Sequence, residues 1–301
     1  MILDNGLDNM ATVTASTSSG NPRIRWNHHA AIGTGTGAPA EGQTALDSET
    51  HRTTSRGGFN FTETWTRHVA SDMMRYELEE VRVFAFEASF NLTEFGFSPT
   101  SGPGDLNFRD LFREDPNNPA SDPVVITVGD GDELHLWYTW TYELPWLTAP
   151  ESFTITGAPG KDSDGVYDGD ATFFATGDGS PAQQAIEQGW PGGFSTNRIH
   201  VVVNESPSSA RNEGISSVGG AVASLSADTY TAGTFERTWR ATFGTSAAVA
   251  EHTAWVRSVF SSTTNLSGGY KFVLTDPATL DKADTHELEL EFTVEWDRAG
   301  S

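Results

Sequence analysis

The chain has 301 residues, with 41 Asp or Glu against 18 Lys or Arg and a net charge of −23. A hydrophobic fraction of 37% can build a core and excludes global disorder, and the lack of cysteine excludes disulfides, thiolate metal sites and cysteine nucleophiles. So acidic a chain is a poor partner for nucleic acid, which needs a basic face, and no apolar run approaches the roughly 20 residues that span a bilayer.

Residues 1–11 are acidic and amide-rich, without the basic start and apolar middle of a signal peptide, so the expectation is a protein made and folded in a cytoplasm. Beyond them, 30 Gly and 14 Pro punctuate short alternating runs, which predicts an all-β fold of antiparallel sandwiches with little helix. Strands are expected at residues 23–32 and 59–69. Helical signal is confined to residues 72–81 and 181–188. An apolar stripe follows at Phe84, Phe86, Ala88, Phe90 and Leu92. In residues 133–143, Leu134, Leu136, Tyr138, Trp140 and Tyr142 share one face. Residues 198–203, 234–243 and 270–274 read as strands. Residues 287–297 place Leu288, Leu290, Phe292, Val294 and Trp296 on one face and four glutamates on the other, the pattern of a half-buried strand.

Phe61-Thr-Glu-Thr-Trp65 echoes Phe235-Glu-Arg-Thr-Trp239, and Glu133-Leu-His-Leu echoes Glu287-Leu-Glu-Leu, in the same order. This suggests a duplication, although two strands of any sandwich share such composition. Two jelly-roll-like domains are expected, 1–147 and 148–301, with a boundary near the Leu147–Pro150 stretch. Long acidic, Gly-rich loops are expected from Gly157 to Gly193.

Chemical motifs are sparse. Gly33, Gly35 and Gly37 superficially suggest a nucleotide loop, but no helix pattern follows to supply N–H groups, and turn glycines explain them better. His28 and His29, adjacent in an expected strand, would point to opposite faces and could not share a metal. Asp162, Asp164, Asp168 and Asp170 surround turn glycines and suit Ca2+ or Mg2+, or else form a solvated loop; no cofactor is otherwise required. Neither a Gly-x-Ser-x-Gly elbow nor a distinguishable carboxylate pair points to hydrolysis, so a non-enzymatic protein is expected.

The order of several segments carries a resemblance. Ala31-Ile-Gly-Thr-Gly-Thr-Gly-Ala-Pro39, then Gln43-Thr-Ala-Leu46, Glu49 and Arg52, resembles the opening of tailed-phage fibre and other virion structural proteins. Phe90-Asn-Leu-Thr-Glu-Phe-Gly-Phe97 and Leu106-Asn-Phe-Arg109 look like a later strand-and-turn pair of the same proteins, and the last strand pair looks like their ending. The resemblance implies an oligomeric virion subunit, trimer or pentamer, in a tail fibre, baseplate or head turret. It would contact other virion proteins; as an alternative, it would be an adhesin for a host glycan or surface layer, with Trp146 and Trp190 suited to sugar stacking. Many acids with only three lysines (Lys161, Lys271 and Lys282) also resembles proteins of salt-in halophilic archaea, so a tailed archaeal virus is expected.

The charge yields the first prediction. Like charges about 7 Å apart along one strand face repel by roughly 0.6 kcal/mol in water before screening. The screening length is about 30 Å at low salt and about 3 Å near molar salt, so the repulsion sums over the surface in the first case and is removed in the second. Dialysis from about molar KCl to tens of millimolar will unfold or dissociate the protein, read as lost near-ultraviolet tryptophan dichroism. A melting temperature that does not move with salt would refute this.

Overall fold

In a computed structural model, residues 1–12, 27–60, 62–68, 73–145, 148–155, 165–175, 224–246, 250–252, 254–261, 266–276, 280–282 and 287–298 are described. The fold is all-β; among the described residues there is one short helix and every strand pairing is antiparallel. In chain order the first part holds α1 (Asp4–Thr12), β1 (His29–Gly33), β2 (Glu49–Thr53), β3 (Thr62–His68), β4 (Met73–Ala85), β5 (Phe90–Leu92), β6 (Glu94–Ser98), β7 (Phe108–Leu111), β8 (Ile126–Val128) and β9 (Glu133–Pro145). There follow β10 (Thr148–Ile155), β11 (Gly165–Ala175), β12 (Ser224–Ala227), β13 (Glu236–Phe243), β14 (Ala250–His252), β15 (Ala254–Ser261), β16 (Leu266–Asp276), β17 (Leu280–Lys282) and β18 (Leu288–Glu295).

Two sheets, β2-β1-β6-β7 and β3-β4-β9, share one core. Ala30, Ile32 and Phe97 come from the first sheet, Leu78, Phe84 and Trp140 from the second. Period two explains the layering: β6 sends Phe95 and Phe97 into this core, and Glu94, Gly96 and Ser98 to its opposite face. That opposite face is covered as well, because Leu3, Leu46 and Leu106 pack on Ala31 of β1. The remaining sheets are β10-β11-β16-β15, β12-β13-β18 and the pairs β5-β8 and β14-β17.

Several expectations need correction. Of the residues expected to be helical at 72–81, those from Met73 on are strand; β4 pairs with β9 along all thirteen residues. Its alternation was hidden because the inward face carries buried Glu80 and Arg82, while Val81 and Val83 on the other face are buried too. The stripe from Phe84 to Leu92 is two strands, broken at the turn where Phe86 N–H donates to Asp132 O and Gly131 N–H to Phe86 O. The stretch from Gly157 to Gly193 is not all loop, since β11 occupies Gly165–Ala175 and pairs with β10 and β16. The echoed strands share a sheet in each half but differ in neighbours. β4 separates β3 from β9, whereas β13 pairs directly with β18. That difference departs from simple duplication. The expected elements at 181–188 and 198–203 lie outside the described residues.

Helix α1 was not anticipated, though Leu3, Leu7 and Met10 lie at helical spacing and all three pack inward. It sits close to the turn before β7: a Cβ on Gly6 would lie 2.3 Å from Asn107 O, so only glycine allows this approach. The C-terminal strands clasp the same helix. Trp296 Nε1 donates to Leu7 O at 2.9 Å, and Arg298 donates to Ile2 O and Asp4. Asp8 accepts from Tyr230 Oη at 2.6 Å and Gly233 N at 2.8 Å, with Tyr230 stacked on Trp296.

The clasp predicts that Asp8→Ala lowers stability by about 1–3 kcal/mol, because Tyr230 and Gly233 lose a charged acceptor. Tyr230→Phe should cost less. Urea unfolding at constant molar salt checks both; equal, negligible effects would show that the clasp contributes nothing.

Candidate functional site

Three of the segments singled out in the sequence, residues 31–46, 90–97 and 106–109, meet at the covered face of β6. Glu94 and Arg109 are both fully buried there, on the face turned away from the aromatic core. They are brought together because Arg109 of β7 stands beside Gly96 in the antiparallel register. Arg109 Nε and Nη2 donate to Glu94 Oε2 at 3.0 and 2.9 Å, Nη2 also to Asp47 at 2.8 Å and Gly37 O at 3.0 Å, and Nη1 to Gln43 Oε1 at 2.7 Å and Ala38 O at 3.4 Å. All five guanidinium protons are thereby engaged. The other side of Glu94 is equally full: Gly35 N, Ser48 N and Asp47 N donate to it at 2.9, 2.8 and 3.1 Å.

This geometry explains the glycines. Gly35 N–H points at Glu94 and Gly37 N–H at Asp47, 3.0 Å away, so carboxylates of the protein itself occupy the place a phosphate would take in a nucleotide loop. A Cβ on Gly35 would fall 2.4 Å from Glu94 Oε1 and from Asp47 Cβ. Glu49 and Arg52 form a two-bond pair on β2, at 2.8 and 2.7 Å, and Arg52 also holds Thr100 O. Sequence reading took Gly33, Gly35 and Gly37 as turn glycines and Gln43, Leu46, Glu49, Arg52 and Arg109 as carriers of a resemblance. None of the three glycines has a positive φ; Gly35, Gly37, Gln43 and Arg109 instead lock a long loop onto a sheet.

A second buried ionic cluster lies between the sheets. Glu80 accepts from Asn27 Nδ2 at 3.1 Å, Tyr138 Oη at 2.9 Å and Arg56 Nη2 at 2.5 Å, with Arg82 Nη2 3.5 Å away. Burial first, then the Glu80 charge, raise the Tyr138 hydroxyl far above its ordinary value and keep it a donor. Arg82 lies over the Tyr138 ring at 5.7 Å. Nothing in the residue pattern announced this cluster, because the stretch that holds Glu80 read as helical.

Of the four aspartates expected from sequence, two lie among the described residues. Asp168 and Asp170 lie in β11, with backbone partners in β10 and β16, rather than in a turn; Asp162 and Asp164 lie outside the described residues, as do Trp146 and Trp190. Among the described residues no group of three or more His, Asp or Glu is arranged to hold a metal ion. His28 and His29 do not point to opposite faces. β1 begins only at His29, and the two rings meet edge to face at 4.6 Å. Burial, then the neighbouring His28, lower the His29 value.

A cavity of about 820 Å³ opens where the two sheets meet at β7 and β9, over Phe95, Phe97, Phe108 and Trp140. At its rim Trp137 is 50% exposed and contacts Phe59, itself 41% exposed, with ring centroids 5.4 Å apart. His135 also meets Phe59, at 5.4 Å.

Removing one member of the buried pair is expected to be severe. Arg109→Ala should cost about 3–5 kcal/mol, since Glu94 is left charged without its counter-ion. Asp47→Asn, at the half-exposed end of the network, should cost about 1 kcal/mol or less. Urea melts of the two variants in molar salt check this; equal losses would mean the pair does not anchor the loop. No family model matches this chain, and neither the curated proteins nor the solved structures offer a match.

Proposed function

We propose that the chain is a non-enzymatic structural subunit of a tailed-virus particle from a high-salt habitat, an oligomeric element of the tail fibre or baseplate or of a head turret. The observation that supports this reading is that three of the resembling segments, the glycine-rich loop, the strand with Glu94 and the strand with Arg109, meet in one densely bonded network around a buried ion pair. Each group in it holds backbone in place, which suits a protein whose task is to keep a shape among neighbours. Two jelly-roll-like modules, 1–147 and 148–301, would then assemble in the host cytoplasm into a closed ring of three or five copies. The acid excess fits the same setting, because molar salt screens the repulsion between subunits.

A second reading, an adhesin for a host-surface glycan, is favoured by the exposed Phe59, His135 and Trp137 rings, whose faces suit the C–H side of a sugar.

Two measurements test the first reading. Gold-labelled antibody against the chain should decorate particles from an expressing culture at a fixed place, and light scattering in molar salt should give a small multiple of 32.5 kDa. Absence of the chain from purified particles would overturn the virion reading. Saturable glycan binding abolished by Trp137→Ala would turn the decision to the adhesin.

A further inference from the structure

We propose that Asn5-Gly6 is a modification site guarded by the fold: it deamidates in a molecule whose helix α1 is unseated, and a molecule so modified cannot seat the helix again. The site stands apart from the virion reading and does not depend on it.

An asparagine followed by glycine closes on itself readily, because no Cβ on the second residue hinders the approach of its amide. Asn5-Gly6 is the one such pair in the sequence. The Gly6 nitrogen gives up its proton and attacks Asn5 Cγ. The new N–Cγ bond forms as the Cγ–Nδ2 bond breaks, and Nδ2 leaves as ammonia, carrying that proton. Water then opens the cyclic imide at one of its two carbonyls. The product is a carboxylate on the ordinary backbone, or a backbone rerouted through Cβ, with one proton released as the acid ionises. Nothing is oxidised or reduced, and water is the single co-reactant.

The seated helix opposes each step. Gly6 N–H is committed to Leu3 O at 2.9 Å. Asn5 Nδ2 donates to Asp105 Oδ1 at 2.9 Å and to Leu106 O at 3.0 Å, so both of its protons are used and the side chain is tethered to the turn before β7. Helical backbone angles do not bring the following nitrogen onto Cγ. The backbone also lacks room to turn, because Gly6 lies so near Asn107 O that an added Cβ would fall 2.3 Å from it. These guards have a common origin in the contact of α1 with residues 105–107. The clasp from Trp296, Arg298 and Tyr230 holds the helix in that contact, so lifting it removes them together.

The product does not fit the seat. A carboxylate at position 5 has no proton for Asp105 Oδ1 or Leu106 O, and it would set oxygen against oxygen across the 2.9 and 3.0 Å that hydrogen bonds now bridge. Salt gives little relief at such contact, since the screening length is still about 3 Å near molar salt. Asp105 cannot turn aside without giving up Asn9 Nδ2, which donates to it at 3.3 Å. The rerouted backbone adds an atom inside the first turn of α1 and breaks its hydrogen-bond spacing. Closure is thus lost for good, and the dipeptide records how long a chain has stood open.

Peptide mass mapping of the full chain, held in molar KCl at mildly alkaline pH, tests the guard. A synthetic peptide of residues 1–12 serves as the unguarded reference. In the folded parent, Asn5 should deamidate at least roughly ten-fold more slowly than in the peptide. Asp8→Ala removes a clasp contact and leaves the dipeptide in place; it should raise the rate in the full chain by about five-fold or more. Asn5→Asp, which mimics the product, should melt below Asn5→Ala, which loses the same two bonds without adding a charge. Parent chains held in urea until position 5 is modified should refold to a lower urea midpoint than chains held there briefly. Three results would overturn the proposal: modification of the folded parent at the peptide's rate, an unchanged rate in Asp8→Ala, or modified and Asn5→Asp chains as stable as the parent. None of them bears on whether the chain is present in particles.

Discussion

The buried pair of Glu94 and Arg109 is the constraint on which the first sandwich depends. Placing two charges out of water costs several kcal/mol each unless every proton and lone pair finds a partner. Here the partners are supplied by the long loop from Gly35 to Ser48, through its amides, carbonyls, Gln43 and Asp47. The dependence is mutual: the loop has a single conformation because the ions require it, and the ions are tolerated because the loop encloses them. With that loop fixed, Leu46 is held in the small apolar layer with Leu3, Ala31 and Leu106, beside α1.

The same accounting runs through the basic residues. Arg52, Arg56, Arg75, Arg82, Arg109, Arg113, Arg240 and Arg298 each have a carboxylate within ion-pair distance. Several of these pairs are inside or half-inside, where the planar guanidinium bonds two oxygens or a carboxylate and a carbonyl at once. Arginine is therefore drawn into the architecture, while acids such as Glu287, Glu289, Glu291 and Glu295 remain on the outer face of the last strand. Among the described residues the buried charges are Glu80, Arg82, Glu94 and Arg109, which balance, so the excess of acid lies where salt can screen it.

Legibility followed the physics of each element. β9 was plain because apolar and polar residues alternate from Glu133 to Leu144, with Trp137 the one apolar residue on the polar face. β18 was plain for the same reason, with its glutamates exposed as the alternation requires. β4 was misread because two ions stand where apolar residues were expected, and a strand buried on both faces loses its period-two signature. α1 was missed because only Leu3, Leu7 and Met10 mark its inner side in a stretch dominated by Asp and Asn. Of the buried network, the sequence displayed its glycines and Arg109 as a pattern. The meaning of the pattern depends on contacts separated by as many as 72 residues, which no local window contains.

The hold that the C-terminal strands take on α1 also constrains how the molecule comes to exist in time. The hydrogen bond between Trp296 and Leu7 joins positions 289 apart, and that between Tyr230 and Asp8 joins positions 222 apart. Contacts of such separation close the largest loops and form late, after much of the ordering entropy has been spent. During synthesis at about 5–20 residues per second, α1 waits tens of seconds for the strand that will seat it. The inner surface of the helix, Leu3, Leu7 and Met10, stays without its final surroundings for that interval. The clasp on α1 closes only after β18 has left the ribosome, so its closure is itself a sign that synthesis has passed that strand.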